Sequence, residues 1–269
     1  MRAHSSSRWP GDLFALLRAP FVILGMAILT GVLAPVVVVA GLLRIQEKPK
    51  GIYQWCMHTW CRGILRIAGV KLVLHHAERM SDGDGHVYMA NHVSWFDVFA
   101  LAAVIPRYTW IAKAELKRIP LFSQAAQAAG IVFIDRDNRK AAFGSYETAA
   151  KDVQRGRSII VCPEGTRGKD YHLRPFKKGP FVLAIASGVP VIPVILYGTR
   201  EVMPKGSFVI RGGTVHIHFL DPVPTQGYSY DDRTRLMEEV WSRMADEMRR
   251  LYGVNTAEMP IATEGERKE

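Results

Sequence analysis

The chain has 269 residues, enough for one large domain or two small ones, and 48% of them are hydrophobic against 22% charged. Lys and Arg (35) outnumber Asp and Glu (25), for a formal charge of +10 and a pI near 9.6. An anionic partner is expected, but no zinc-finger, helix-turn-helix or aromatic RNA-binding signature is present, which sets nucleic acid aside. Three cysteines, Cys56, Cys61 and Cys162, exclude a disulfide framework and point to a reducing compartment.

Residues 19–43 carry no charge and are flanked by Arg18 and Arg44. As a helix this run reaches roughly 38 Å, more than the ~30 Å hydrocarbon core of a bilayer. It is too long for the apolar part of a signal peptide and is expected to be retained as a membrane anchor. Gly25, Gly31 and Pro35 leave open one tilted span or a helical hairpin that enters and leaves the same leaflet. The next segment, residues 51–70, mixes Tyr53, Trp55, Trp60, Ile64 and Leu65 with Arg62 and Arg66. That mixture suits a helix at the membrane interface, or equally an amphipathic helix packed on the domain. Cys56-x-His58-x-x-Cys61 has no second ligand pair with zinc-like spacing, so no metal site is expected there. Beside an apolar anchor, anionic headgroups and phosphate-bearing substrates explain the basic charge.

After residue 70, short β-rich runs alternate with helical ones. Strands are predicted over 71–75, 87–90, 108–112, 131–134, 158–162, 191–197 and 214–220, and helices over 97–104, 121–129, 138–155 and 177–187. The alternation predicts an α/β domain over residues 71–253, with a mainly parallel or mixed sheet flanked by helices and preceded by the anchoring segment 1–70. Pro190 and Pro193 inside the run 189–194 suggest an edge strand or an irregular strand start, since proline cannot donate to a central ladder. Apolar Leu236, Met237, Val240, Trp241, Met244, Met248 and Leu251 recur at helical spacing and predict a last helix with one buried face. The polar stretch 254–269 is expected to be a disordered tail.

Two blocks carry chemistry. Asn91-His92-Val93-Ser94-Trp95-Phe96-Asp97 follows a buried strand and places an imidazole five residues before a carboxylate. A neutral His accepts a proton from an alcohol best when a carboxylate holds its other ring nitrogen. Ser94-x-x-Asp97 also reads as a capping box, and the two readings are compatible. The second block, Cys162-Pro163-Glu164-Gly165-Thr166-Arg167, ends a strand in a tight turn at the edge where α/β proteins bind ligands. Arg136, after another predicted strand, and Arg174, Lys177 and Lys178 add cations suited to phosphate. Taken alone, the first block has the helix cap as its plain alternative and the second a surface turn with a solvated Glu and Arg.

Together the blocks resemble the 1-acyl-sn-glycerol-3-phosphate acyltransferases over roughly residues 72–223. Asn91-His92-x4-Asp97 is similar to the family's first motif. Lys113-Ala114-Glu115-Leu116 with Ile119-Pro120 resembles the approach to the second, and Phe133-Ile134-Asp135-Arg136 the second itself. Pro163-Glu164-Gly165-Thr166-Arg167 resembles the third motif and Val189-Pro190-Val191-Ile192-Pro193 the fourth. Cys162 replaces a usual Phe, and Ser123 stands where Gly often follows Ile-Pro-x-x.

The resemblance implies catalytic roles for His92 and Asp97, as base and orienting acid. It implies acceptor binding by Arg136, Glu164, Gly165, Thr166 and Arg167, with Lys113 beside them. It further implies acyl transfer from acyl-CoA or acyl carrier protein to the sn-2 hydroxyl of lysophosphatidic acid, without a metal or bound cofactor. The expected partners are membrane lipids and these substrates, with the catalytic domain on the cytoplasmic face of the inner (plasma) membrane. The same chemistry on a lyso-ornithine lipid or a lysophospholipid, and a non-catalytic basic membrane adaptor, stay open as alternatives. Cys162 as a covalent acyl carrier is disfavoured because no activating base neighbours it in sequence.

Overall fold

A computed structural model describes residues 11–80, 85–134, 146 and 149–256, with side chains from residue 18 onward. The uncharged run forms part of one helix, α1 (Gly11–Leu42), which holds Pro20 and Pro35 without breaking. The hairpin considered within residues 19–43 therefore does not form. The chain instead turns after Leu42, and α2 (Ile52–Ile67) returns along α1.

Small residues set that approach: a Cβ on Gly25 would meet Ile67, and one on Gly63 would meet Leu29. Trp60 Nε1 donates to Thr30 Oγ1 at 2.9 Å, and Val37 and Ala40 pack on Tyr53 and Cys56. The outer stripe of α1 stays uncovered, with Phe21, Leu24, Ile28, Val32 and Val39 exposed at helical spacing. Among the described residues α1 is the helix long and apolar enough to cross a membrane. At its other end, Arg18 Nη1 donates to the Ala68 carbonyl (3.4 Å), beside the point where Gly213 N donates to Gly69 O (3.1 Å).

The strands are β1 (Val70–His75), β2 (Val87–Ala90), β3 (Tyr108–Lys113), β4 (Val132–Ile134), β5 (Ser158–Val161), β6 (Val191–Tyr197) and β7 (Gly213–Phe219). They form one seven-stranded sheet in the order β1-β7-β6-β2-β5-β3-β4. Neighbours pair in parallel except β6 and β7, so the sheet is mixed, as composition and alternation predict. The helices are α3 (Phe96–Val104), α4 (Phe122–Ala128), α5 (Gly179–Ser187), α6 (Thr199–Val202) and α7 (Arg233–Tyr252). Of the helix predicted over 138–155, residues 149–154 are seen as helix; its start, and most of the predicted tail, lie outside the described residues.

Period-two alternation sorts the strand side chains between two cores. Tyr88, Ala90, Ile160, Ile192, Val194, Ile217 and Phe219 face α1, α2 and α3. Val87, Met89, Ile159, Val161, Val191 and Ile195 face α5 and α7, where Phe181, Leu236, Val240, Met244 and Met248 are buried.

The edge placement suggested by Pro190 and Pro193 is wrong, because β6 runs between β2 and β7. Pro193 is tolerated inside the sheet because its missing N–H falls on the β7 side, where β7 has already ended. There its carbonyl accepts from Leu220 N at 2.9 Å, and pairing resumes at Val191 with Val223.

One glycine is demanding. Gly198 leaves β6 at φ +102°, and a Cβ there would run into the Thr214 carbonyl of β7. The left-handed conformation alone costs an L-residue about 1–2 kcal/mol, and the backbone clash adds to it. Gly198→Ala should therefore lower the urea midpoint clearly, and a midpoint equal to that of the parent would rule out this close approach.

Candidate active site

Strand β2 ends at Ala90, and Asn91 keeps its ladder going with a side chain. Asn91 Nδ2 donates to Leu196 O (3.0 Å) and its Oδ1 accepts from Leu196 N (2.7 Å). The backbone is thereby released to turn while β6 stays hydrogen-bonded. His92 is then held by its own backbone: its N–H donates to Glu164 Oε1 (2.9 Å) and its carbonyl accepts from Gly168 N (2.7 Å).

Asp97 lies in the first turn of α3 and is fully buried. One carboxylate oxygen, Oδ2, accepts from Val93 N and Ser94 N (2.7 Å each) and from His92 Nδ1 (2.8 Å). The capping and orienting readings are therefore both realised by the same atom. Ser94 Oγ accepts from Phe96 N (3.1 Å) and donates to Met203 O (2.7 Å), tying the turn to the end of α6. With a carboxylate accepting at Nδ1, that nitrogen carries the imidazole proton. The lone pair is left on Nε2, the form a general base requires.

The second block comes from the adjacent strand. After β5, Gly165 adopts φ +75° and its N–H donates to Cys162 O (3.0 Å), while Pro163 O accepts from Lys177 N (2.8 Å). This tight turn aims Glu164 inward, where it is 3% exposed. Burial pushes its carboxyl up to about 8, against the amides of His92 and Arg174, which favour the charged form. Its Oε2 is buried outside hydrogen-bond geometry to any described group. Thr166 is exposed. Arg167 stacks its guanidinium 4.9 Å over the Trp95 ring. Partial burial lowers its pKa and the Asp97 charge opposes that. The Arg167 carbonyl accepts from Lys205 Nζ (2.7 Å) and Arg174 Nη1 (3.3 Å).

Lys113 ends β3, two strands from β2 and so roughly 10 Å across the sheet. It is exposed and pairs with Glu115 Oε1 at 2.5 Å. Arg136 follows β4 but lies outside the described residues.

The structure thus gathers His92, Asp97, Glu164, Gly165 and Arg167 at one carboxyl edge of the sheet and sets Lys113 further along it. Sequence reasoning missed the backbone clamp formed by Asn91, Glu164, Gly168 and Met203. Its local signal is an Asn directly after one buried strand and a Glu directly after the Pro that ends its neighbour.

A family model described as Acyltransferase matches residues 71–197. The chain is 33% identical over 164 residues to a chloroplastic 1-acyl-sn-glycerol-3-phosphate acyltransferase of Brassica napus, covering 60% of this chain and 46% of that protein. It is 29% identical over 180 residues to the enzyme of that name from Borreliella burgdorferi, covering 65% and 72%. The chain thus spans about half the length of the plant relative. The crystal structure of the 1-acyl-sn-glycerophosphate (LPA) acyltransferase PlsC from Thermotoga maritima superposes with a TM-score of 0.73 at 24% identity, covering 88% of this chain and 97% of that one. That likeness speaks for the fold. The residues matched by that family model run from β1 to β6 and include the His92–Asp97 turn and the Glu164 turn, which meet at one sheet edge.

Proposed function

We propose that the chain is a membrane-attached 1-acylglycerol-3-phosphate O-acyltransferase, moving an acyl group from an acyl thioester to the sn-2 hydroxyl of lysophosphatidic acid. The observation that carries this reading is the 2.8 Å His92 Nδ1–Asp97 Oδ2 hydrogen bond, which leaves Nε2 as base. Nε2 takes the hydroxyl proton as that oxygen attacks the thioester carbonyl. Collapse of the tetrahedral adduct breaks the C–S bond, and the imidazolium returns the proton to the departing thiolate. Asp97 stabilises the imidazolium between the two steps. The products are phosphatidic acid and the free thiol of coenzyme A or acyl carrier protein.

Phosphate recognition falls to Arg167 and Lys113, cations along the same edge, and to Arg136, which follows β4 in the sequence. Arginine suits this work because its planar fork meets two phosphate oxygens at once. Glu164, in contrast, has a supporting place behind His92 and not a solvent-facing one. The uncovered apolar stripe of α1 supports attachment to a bilayer.

The decisive experiment offers the purified chain in mixed micelles a panel of lyso-lipid acceptors with both thioester donors. Phosphatidic acid should form fastest. Faster turnover of a lyso-lipid without a terminal phosphate would overturn the acceptor assignment. In the same assay Arg167→Ala should raise KM for lysophosphatidic acid about tenfold or more, with little change in KM for the donor. Equal losses for both substrates would remove Arg167 from phosphate binding.

A further inference from the structure

Strand β7 places His216 and His218 on one sheet face, with Ile217 between them on the other. The parallel register of β1 and β7 sets His75 opposite His218. One ring nitrogen from each of the three lies within 4.8 Å of the other two. We propose that His75, His216 and His218 form a binding site for a divalent cation of the zinc type, separate from the acyl-transfer site.

The geometry is that of a three-histidine face. Two ligands alternate along one strand, the third projects from its neighbour, and the fourth position stays open to solvent or an oxygen ligand. His75 Nε2 and His216 Nδ1 are 3.0 Å apart, close to the roughly 3.3 Å that separates two nitrogens on one tetrahedral zinc. His218 is 6% exposed and its Nε2 lies 2.6 Å from the Tyr252 hydroxyl of α7. That contact occupies one ring nitrogen and leaves Nδ1 for the cation. It also supplies the outer hydrogen bond that metal-bound imidazoles characteristically make.

His75 Nε2 and His216 Nδ1 are at hydrogen-bond distance from one another, so a cation between them would take the place of that contact. His75 and His218 stack at 4.0 Å between centroids and 4° between planes, so convergence of their nitrogens on one cation requires the rings to rotate about Cβ–Cγ. Burial and the neighbouring imidazoles lower the pKa of both rings, that of His218 to about 4, which keeps them in the neutral form a metal needs. Glu247 faces His218 from α7 and offsets part of the cation's charge, although its carboxylate also pairs with Arg250. His76 flanks the site from the end of β1. A cation here would tie edge strand β1, and with it the helices α1 and α2, to β7 and α7.

The test uses the full chain, free of any histidine tag and treated with chelator. Titration with Zn²⁺ by calorimetry should give one site with micromolar or tighter affinity, and a thermal midpoint that rises with free Zn²⁺. Co²⁺ should give the strong visible absorption of a tetrahedral site. The double substitution His75→Gln, His216→Gln should weaken Zn²⁺ binding by about 100-fold or more, while chelator-treated acyl transfer stays at the parent level. Binding of unchanged strength in the double variant would overturn the proposal, as would no tetrahedral Co²⁺ band in the parent chain.

Discussion

Asp97→Asn should lower kcat for acyl transfer by about 10²–10⁴-fold in a chain that remains folded, and His92→Ala should do at least as much. The carboxamide can still present one oxygen to the amides of Val93 and Ser94 and to His92 Nδ1, the three donors that meet at Oδ2. What it lacks is the negative charge that stabilises the imidazolium once His92 has taken the hydroxyl proton. The loss should therefore fall on kcat, with KM for the acceptor little changed. Circular dichroism and the urea midpoint establish that the turn survives. Wild-type kcat in folded Asp97→Asn would remove the pair from proton transfer and leave it as a helix cap.

The second large effect concerns Glu164 and is read in stability. The folded chain holds the Glu164 proton up to about pH 8, whereas an unperturbed carboxyl releases it near 4.5. Between those values the folded state binds more protons than the unfolded one. Stability is thus fully present below about 4.5 and is lost as pH rises toward 8, by at most about 1.4 kcal/mol per pH unit from this group.

Glu164→Gln keeps an oxygen for the His92 amide and has no proton to lose. The difference in unfolding free energy between Gln and Glu should therefore swing toward Gln across this window, by about 1 kcal/mol or more, in urea titrations at several pH values. A difference that does not vary with pH would show that Glu164 is ionised in the folded chain. Glu164→Ala leaves the His92 amide without its acceptor and should destabilise at every pH, by about 1–3 kcal/mol.

Strands β2, β5 and β6 were readable in the sequence because each is an apolar run closed by Asn91, Pro163 or Gly198, and the His92–Asp97 contact because both partners belong to one turn. Neighbour relations were not readable. Nothing near Pro193 says that β6 lies between β2 and β7, since its missing N–H is excused only by the place where β7 stops. The same limit hid the site's supports. Glu164 meets the His92 amide across 72 residues, and Asn91 meets Leu196 across 105. The histidine face needed a register between strands 141 residues apart, which no local spacing of His75, His216 and His218 can reveal. Identity of chemistry was local in this chain; its scaffolding was not.

The corner where Arg18 meets the Ala68 carbonyl has a kinetic consequence. Because β7 runs antiparallel to β6, its start at Gly213 lies at the carboxyl edge of β6, on the same side of the sheet as the turn that carries His92. The N-terminal end of the exposed apolar helix is therefore fastened to the rim of the catalytic edge. On the proposed reading, in which α1 lies in a bilayer, an acceptor lipid would arrive by lateral diffusion along the leaflet and need never dissolve in water. Turnover is then governed by the acceptor's mole fraction in the surface, so adding inert lipid slows the reaction even when the bulk acceptor concentration is held constant.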